Sequence, residues 1–419
     1  MTLMPDARTA IVDKVVKQYL DSDDFNGVSV GTLNGDDQKL VPALIEEGLL
    51  DLVRGDGHPN PHIKALPADA VEDQLQKIRE LGLGDGCLYP TPAVLEKRVD
   101  RRKYRGRPFS LEIALGGAQL SFRAFDPRVL EWYRNDPRFS YQVDDIHGSI
   151  YFKDEGSSSH TLSKDHFYLE HFGFAYDEEQ RRAVAVFLWD LHKLRPEDQR
   201  HWNEHIRSTP HTLHPDYFRT SILGQFPDGV SIFDAFLHEK HHINEMCKEI
   251  GWSPMFKSNH EAYQRPDGFG FMIRPTRKEL SDFYLKLDQL MSDDIDQTFF
   301  KGMEIEIVGK TDDGREVRQR KGTITLLEEW IGQNFRPKDK EPLTRLLKTF
   351  RDIRKLRSQH AAHNVTDNDF NEDYLIEQRD AIKKAYIAIR TIRLMIKNHP
   401  KLREYEVEEW LQSGRIWTK

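Results

Sequence analysis

Toward its C-terminal end the chain carries Arg354-Lys355-Leu356-Arg357-Ser358-Gln359-His360-Ala361-Ala362-His363-Asn364. Cutting RNA without a metal needs a base for the ribose 2′-OH, a proton for the departing 5′-oxygen and a cation for the phosphorane charge. Histidine titrates near neutral pH and can serve the first two needs. Arginine stays charged, and its planar fork suits phosphate oxygens. Arg357 and His363 are therefore the candidate catalytic pair, with His360 and Asn364 as further candidates. Six residues turn a straight helix by about 600°, leaving Arg357 and His363 roughly 120° and 9 Å apart. The helix is thus expected to end or bend near Ala361-Ala362, or the pair to act on a phosphate shared with a second protomer. The simpler reading is a helix C-terminus, where cations are favourable in any case.

The approach to this string is basic. Between Asn334 and His360 nine basic residues oppose three acidic ones, a local excess of six. Solvated helix faces usually mix both signs, so Arg345, Lys348, Arg351, Arg354 and Lys355 are expected to touch a polyanion, RNA above all. A second basic run, Leu95 to Arg107, holds seven basic residues against two acidic and reads as a solvated face, with a phosphate-backbone contact as the sharper alternative.

A different chemistry is offered by His238-Glu239-Lys240-His241-His242, an H-E-x-x-H pattern. On a helix the two imidazoles at i and i+4 share a face, where they can bind zinc while Glu239 deprotonates a bound water. Glu261 or His260 would supply a third ligand. Lys240 inside the motif opposes a metal unless it points away, so the expectation is an exposed, His-rich helix, no cofactor and no stoichiometric metal. The glycines at 27, 31 and 82–86 lack the preceding strand that a nucleophile elbow or a phosphate-binding loop requires.

These residues need a scaffold, and 419 residues provide for two or three domains. Two cysteines exclude a disulfide framework, and mean hydropathy is −0.68. No apolar run is long enough to span a bilayer and residues 1–17 lack a signal-like apolar core, so no membrane is expected and the expected location is cytoplasmic. The pattern predicts an α+β multidomain chain. Residues 1–69, two helices and a short hairpin turning at Gly55-Asp56-Gly57, resemble a winged-helix module. Residues 70–99 read as a linker with a helix at Val71–Leu81. Residues 100–276 read as an α+β middle domain with a sensing role, including strands over 109–115 and 120–124, an alternating stretch over 141–152, and helices at Ala183–Leu194 and Ile232–Ile250. Residues 277–400 predict four amphipathic helices with a β-hairpin inserted around Asp312-Asp313-Gly314, the second helix opened by a Thr325/Glu328 capping box, and 401–419 form a tail.

A four-helix bundle whose third helix ends in an Arg, a few residues and a His resembles the HEPN superfamily. The nearest likeness is to HEPN domains of bacterial defence and abortive-infection proteins, and it covers roughly residues 277–400. The resemblance implies a metal-independent endoribonuclease working as a homodimer, in antiphage defence or a toxin role, with a phage-derived or protein trigger. Arg357 would hold the scissile phosphate and His363 act as acid or base, leaving a 2′,3′-cyclic phosphate and a 5′-hydroxyl. The alternative is a non-catalytic HEPN module that dimerises or binds RNA; a zinc metallopeptidase at His238, Glu239 and His242 ranks third.

Overall fold

Apolar spacing along the first 90 residues builds one sheet and the helices that cover it. The computed structural model describes residues 6–55, 58–153, 168–227, 229–260, 265–310, 316–361 and 369–419. They form two compact units, Met1–Asp177 with Ala183–Tyr217, and Glu178–Arg182 with Phe218–Lys419. In the first, α1 (Ala7–Asp21), β1 (Val28–Ser29), α2 (Gly35–Glu46), β2 (Leu50–Val53), α3 (Val71–Leu81) and β3 (Cys87–Pro90) follow in turn. The strands pair antiparallel in the order β1-β3-β2. Ile11, Val12, Val15 and Val16 of α1 and Val41, Leu44 and Ile45 of α2 pack into one core with Leu52 and Leu88.

This corrects the expected hairpin and linker. The partner of β2 is β3, which lies beyond α3, not the segment just after Gly55. Residues 70–99 therefore supply the central strand of the sheet. Every residue of β3 is buried, and a strand buried on both faces shows no polar alternation to announce it.

The same unit continues with α4 (Pro92–Arg98), α5 (Pro108–Ala114), β4 (Phe122–Phe125), α6 (Glu131–Arg134), β5 (Phe139–Val143), β6 (His147–Phe152), β7 (Tyr168–Tyr176), β8 (Arg182–Phe187), α7 (Leu188–Leu191), α8 (Pro196–Glu204) and β9 (Thr212–Leu213). A second sheet runs β4-β8-β7-β6-β5, with β9 on β7. The alternating 141–152 stretch is the β5–β6 hairpin. Two expectations exchange. Phe109 and Ile113, expected in a strand, are the buried i, i+4 pair of α5, opened by Pro108. Residues 183–187, expected in a helix, form fully buried β8, where β-branched Val184 and Val186 pack on a pleated surface. The border between units falls within α9 (Pro215–Ser221), not at residue 276.

The second unit holds β10 (Val230–Ser231), α10 (Ile232–Ile250), α11 (Arg277–Asp288), the antiparallel hairpin β11 (Glu306–Lys310) and β12 (Glu316–Arg320), α12 (Thr323–Asn334), α13 (Glu341–Ala361), α14 (Asp373–Lys397), α15 (Glu409–Ser413) and β13 (Ile416–Trp417). The turn at Asp312-Asp313-Gly314 lies outside the described residues. The helix expected to open with a capping box starts three residues earlier, after Gly322, so Thr325 sits inside α12. Thr323 instead donates its hydroxyl to the Ser292 carbonyl at 2.8 Å. α13 packs between α11 and α14, α12 packs on α13, and α10 lies along α14. Phe236, Ile243, Leu280, Phe283, Leu346, Phe350, Ile382 and Ile389 share one core, so α10 belongs to this helical unit.

Candidate functional site

On α13, Leu346, Phe350 and Ile353 face the core and set which basic residues can reach a neighbour. Arg357 Nη1 donates to Asp288 Oδ2 at 2.7 Å and to Asp293 Oδ2 at 2.8 Å. Arg354 joins them, with Nε 3.3 Å from both Asp288 oxygens and Nη2 2.6 Å from Asp293 Oδ1. The Asp288 side chain is fully buried. A π-turn at Gln289–Asp293 follows α11. Five residues along an α-helix leave two side chains about 140° apart, whereas a turn closed by i→i+5 bonds brings them onto one side. That turn is why Asp288 and Asp293 converge on one guanidinium.

Both carboxylates are met by a single Arg357 nitrogen, Nη1. Among the described residues Nε and Nη2 of Arg357 make no hydrogen bond, and neither is a buried orphan. The edge that binds phosphate bidentately is therefore open to solvent. Hydrogen bonds donated to the Asp288 and Asp293 carboxylates push the Arg357 pKa above its ordinary value, so its charge is permanent.

His360, one turn beyond Arg357, also faces α11. Its Nδ1 lies 3.3 Å from Ser281 Oγ, its Nε2 3.9 Å from a Glu377 carboxylate oxygen, and its ring 5.2 Å from that of Tyr284. The Tyr284 hydroxyl donates to Glu377 at 2.9 Å. His363 and Asn364 lie outside the described residues.

The basic stripe is less one-sided in space than along the chain. Arg345 pairs with Glu341 at 2.6 Å, and Arg351 pairs with Glu328 of α12. Asp288, Asp293 and Glu328 come from outside the basic segment and halve its excess from six to three. Lys348 and Lys355 are exposed, without an ion pair among the described residues. The earlier basic run is likewise paired at Arg98–Asp13, Arg101–Glu96 and Arg102–Asp100, which is the solvated-face reading.

The H-E-x-x-H helix divides its residues between two faces. Glu239 is fully buried and pairs with Arg393, with Arg390 at 3.6 Å and the Tyr386 hydroxyl at 3.5 Å. Burial pushes its pKa up, against the pull of Arg393. Lys240 is buried on α10, donating to the Leu290 carbonyl and to Asp294 Oδ2, each at 2.7 Å; burial pushes its pKa down to about 8. Glu239 is thus structural and cannot serve as the base of a metallopeptidase, which corrects that assignment. His238 and His242 do share a face, but their carboxylate neighbour is Glu408. Neither earlier third-ligand candidate joins them: His260 has no place in the cluster, and Glu261 lies outside the described residues.

Sequence reasoning missed Asp288, Asp293 and Glu408. Asp288 and Asp293 had no helical spacing to link them, and Glu408 sat in what read as a tail. The one available signal was aromatic: Tyr405 and Trp410 flank Glu408, and such side chains rarely belong to a solvated tail. The chain matches no protein-family model, no curated protein and no solved structure.

Proposed function

We propose that the C-terminal helical unit is a metal-independent RNA endonuclease of HEPN type, with Arg357 holding the scissile phosphate. The observation that carries this reading is the free Nε/Nη2 edge of Arg357, held by two carboxylates that use only its third nitrogen. A guanidinium anchored on one side and open on the other is preorganised for an oxyanion, since ordering it costs nothing further when the phosphate arrives. His363 is assigned the acid–base role and His360 an auxiliary one. The cleft is completed by the α13 of a second chain, so that Arg357 and His363 act on a phosphate from two protomers. Two facing Arg357 cations repel in the empty cleft, and the RNA backbone relieves that repulsion.

The test uses purified protein and total cellular RNA. Wild type is expected to leave 5′-hydroxyl ends, readable by direct kinase labelling, and Arg357→Ala and His363→Ala are each expected to leave none. Mixing the two inactive variants under subunit exchange should restore partial cleavage, because one composite set is intact in a mixed dimer. RNA that is retained but never cut by wild type would select the non-catalytic RNA-binding reading instead.

A further inference from the structure

The His238 and His242 imidazoles lie one helical turn apart on α10, and Glu408 is presented to them by the segment that leads into α15. One ligand atom of each of the three lies within 4.8 Å of the other two. His242 Nε2 is 2.7 Å from Glu408 Oε2, and His238 Nδ1 is 3.7 Å from Glu408 Oε1. Bonds of about 2.1 Å in a tetrahedron put neighbouring ligand atoms roughly 3.4 Å apart, between those two separations. His238 Nδ1 is buried with no hydrogen-bond partner among the described residues, an unsatisfied lone pair or N–H aimed at this cluster. Such an atom is costly unless something in the site engages it.

We propose that His238, His242 and Glu408 bind a divalent zinc ion, with water in the fourth position. Two imidazoles and a carboxylate are a donor set that suits zinc. The surroundings are those of an oriented ligand pair. The Tyr405 hydroxyl lies 2.8 Å from His242 Nδ1 and fixes that ring with Nε2 toward Glu408. The Trp410 ring meets His238 edge-on at 5.1 Å. Lys240, the charge that opposed a metal on sequence grounds, points to Asp294 and away from the cluster. The ion would be a clamp and not a hydrolytic centre, because the glutamate that would activate its water is spent on Arg393. It joins α10 to a residue 166 positions further along the chain. The strap after Glu408 is already fastened by β13, which pairs parallel with β10 directly before α10. Zinc would therefore hold the near end of a strap whose far end the sheet holds.

The test is calorimetric titration of chelator-stripped full-length protein with zinc alone. One site per chain is expected, with Kd below about 1 μM, and Glu408→Gln and His238→Asn are each expected to weaken it at least about 100-fold. Tyr405→Phe should weaken it about 10-fold through the orientation of His242. Wild type without saturable binding below about 100 μM, or variants of unchanged affinity, overturns the proposal. Should the variants unfold by circular dichroism, X-ray absorption at the zinc edge of the wild-type complex decides: two imidazoles and one carboxylate are expected, and any other ligand set overturns it. None of these readouts depends on RNA cleavage.

Discussion

Glu239 and Asp288 are both fully buried carboxylates of the helical unit, and each is met by arginines from another helix. Their partners differ. Arg393, which faces Glu239, is itself buried, whereas Arg354 and Arg357, which face Asp288, keep 38% and 32% of their side chains exposed. The enclosed pair is a two-point clamp, Arg393 Nε and Nη2 both meeting the Glu239 carboxylate, and it ties α10 to α14. A pair open on one side turns a structural carboxylate into a mount for a cation with free donors. Burial of the acid is common to both; what differs is the exposure of the arginine nearest to it, Arg393 at 5% and Arg357 at 32%.

Removing one partner of the enclosed pair should have the largest effect. Glu239→Leu leaves Arg393 buried without its counter-charge and should cost about 3–5 kcal/mol, while adding Arg393→Met should recover most of it. Urea unfolding measures both; a single variant within about 1 kcal/mol of wild type would mean that the pair does not hold these helices.

A buried base with no acid beside it marks the other limit. In the first unit His192 is buried against Phe25 and Trp189, its Nε2 has no hydrogen-bond partner among the described residues, and burial pushes its pKa down to about 4. The unfolded chain takes up a proton near pH 6.5 that the folded chain refuses. Stability from this group is therefore complete above about pH 6.5 and falls as pH drops toward 4, by about 2 kcal/mol at pH 5. Chemical denaturation at pH 7.5 and 5 should show this loss in wild type and a flatter profile in His192→Phe.

The open pair should separate stability from binding. Asp288→Asn is expected to cost about 1–3 kcal/mol, because two guanidinium groups lose a charged acceptor. Arg357→Ala should cost under about 1 kcal/mol, since Arg354 still meets Asp288, yet abolish cleavage. The smallest effect belongs to the exposed stripe. Lys348→Gln should lower the salt slope of RNA binding by about 0.7, and Arg345→Gln or Arg351→Gln by less, because Glu341 and Glu328 already oppose them. Equal reductions at all three positions would show that those pairs open in the complex.

Some elements were legible because their signal is local. α3 at Val71–Leu81 and α10 at Ile232–Ile250 form with the bounds that apolar spacing predicts, and α12, α13 and α14 lie where their stripes lie. Residues 109–115 and 183–187 differ from the expected elements because a short apolar run fits both periods, and the choice is made by neighbours; Leu188–Leu191 is helical as expected. Phe109 rests edge-on against Phe125, and β8 is flanked by β4 and β7.

The sequence by itself determined the chemical inventory: an arginine–histidine string on a basic helix, and two histidines one turn apart on another. It did so because helical spacing alone puts residues three or four apart on one face. Only the tertiary structure decided which acids those bases meet. Asp288 reaches Arg357 across 69 residues and a π-turn, Glu408 reaches His242 across 166, and Glu239 leaves its own motif for Arg393 across 154. A buried charge must find its counter-charge wherever the packed chain brings one, and no local spacing encodes that meeting.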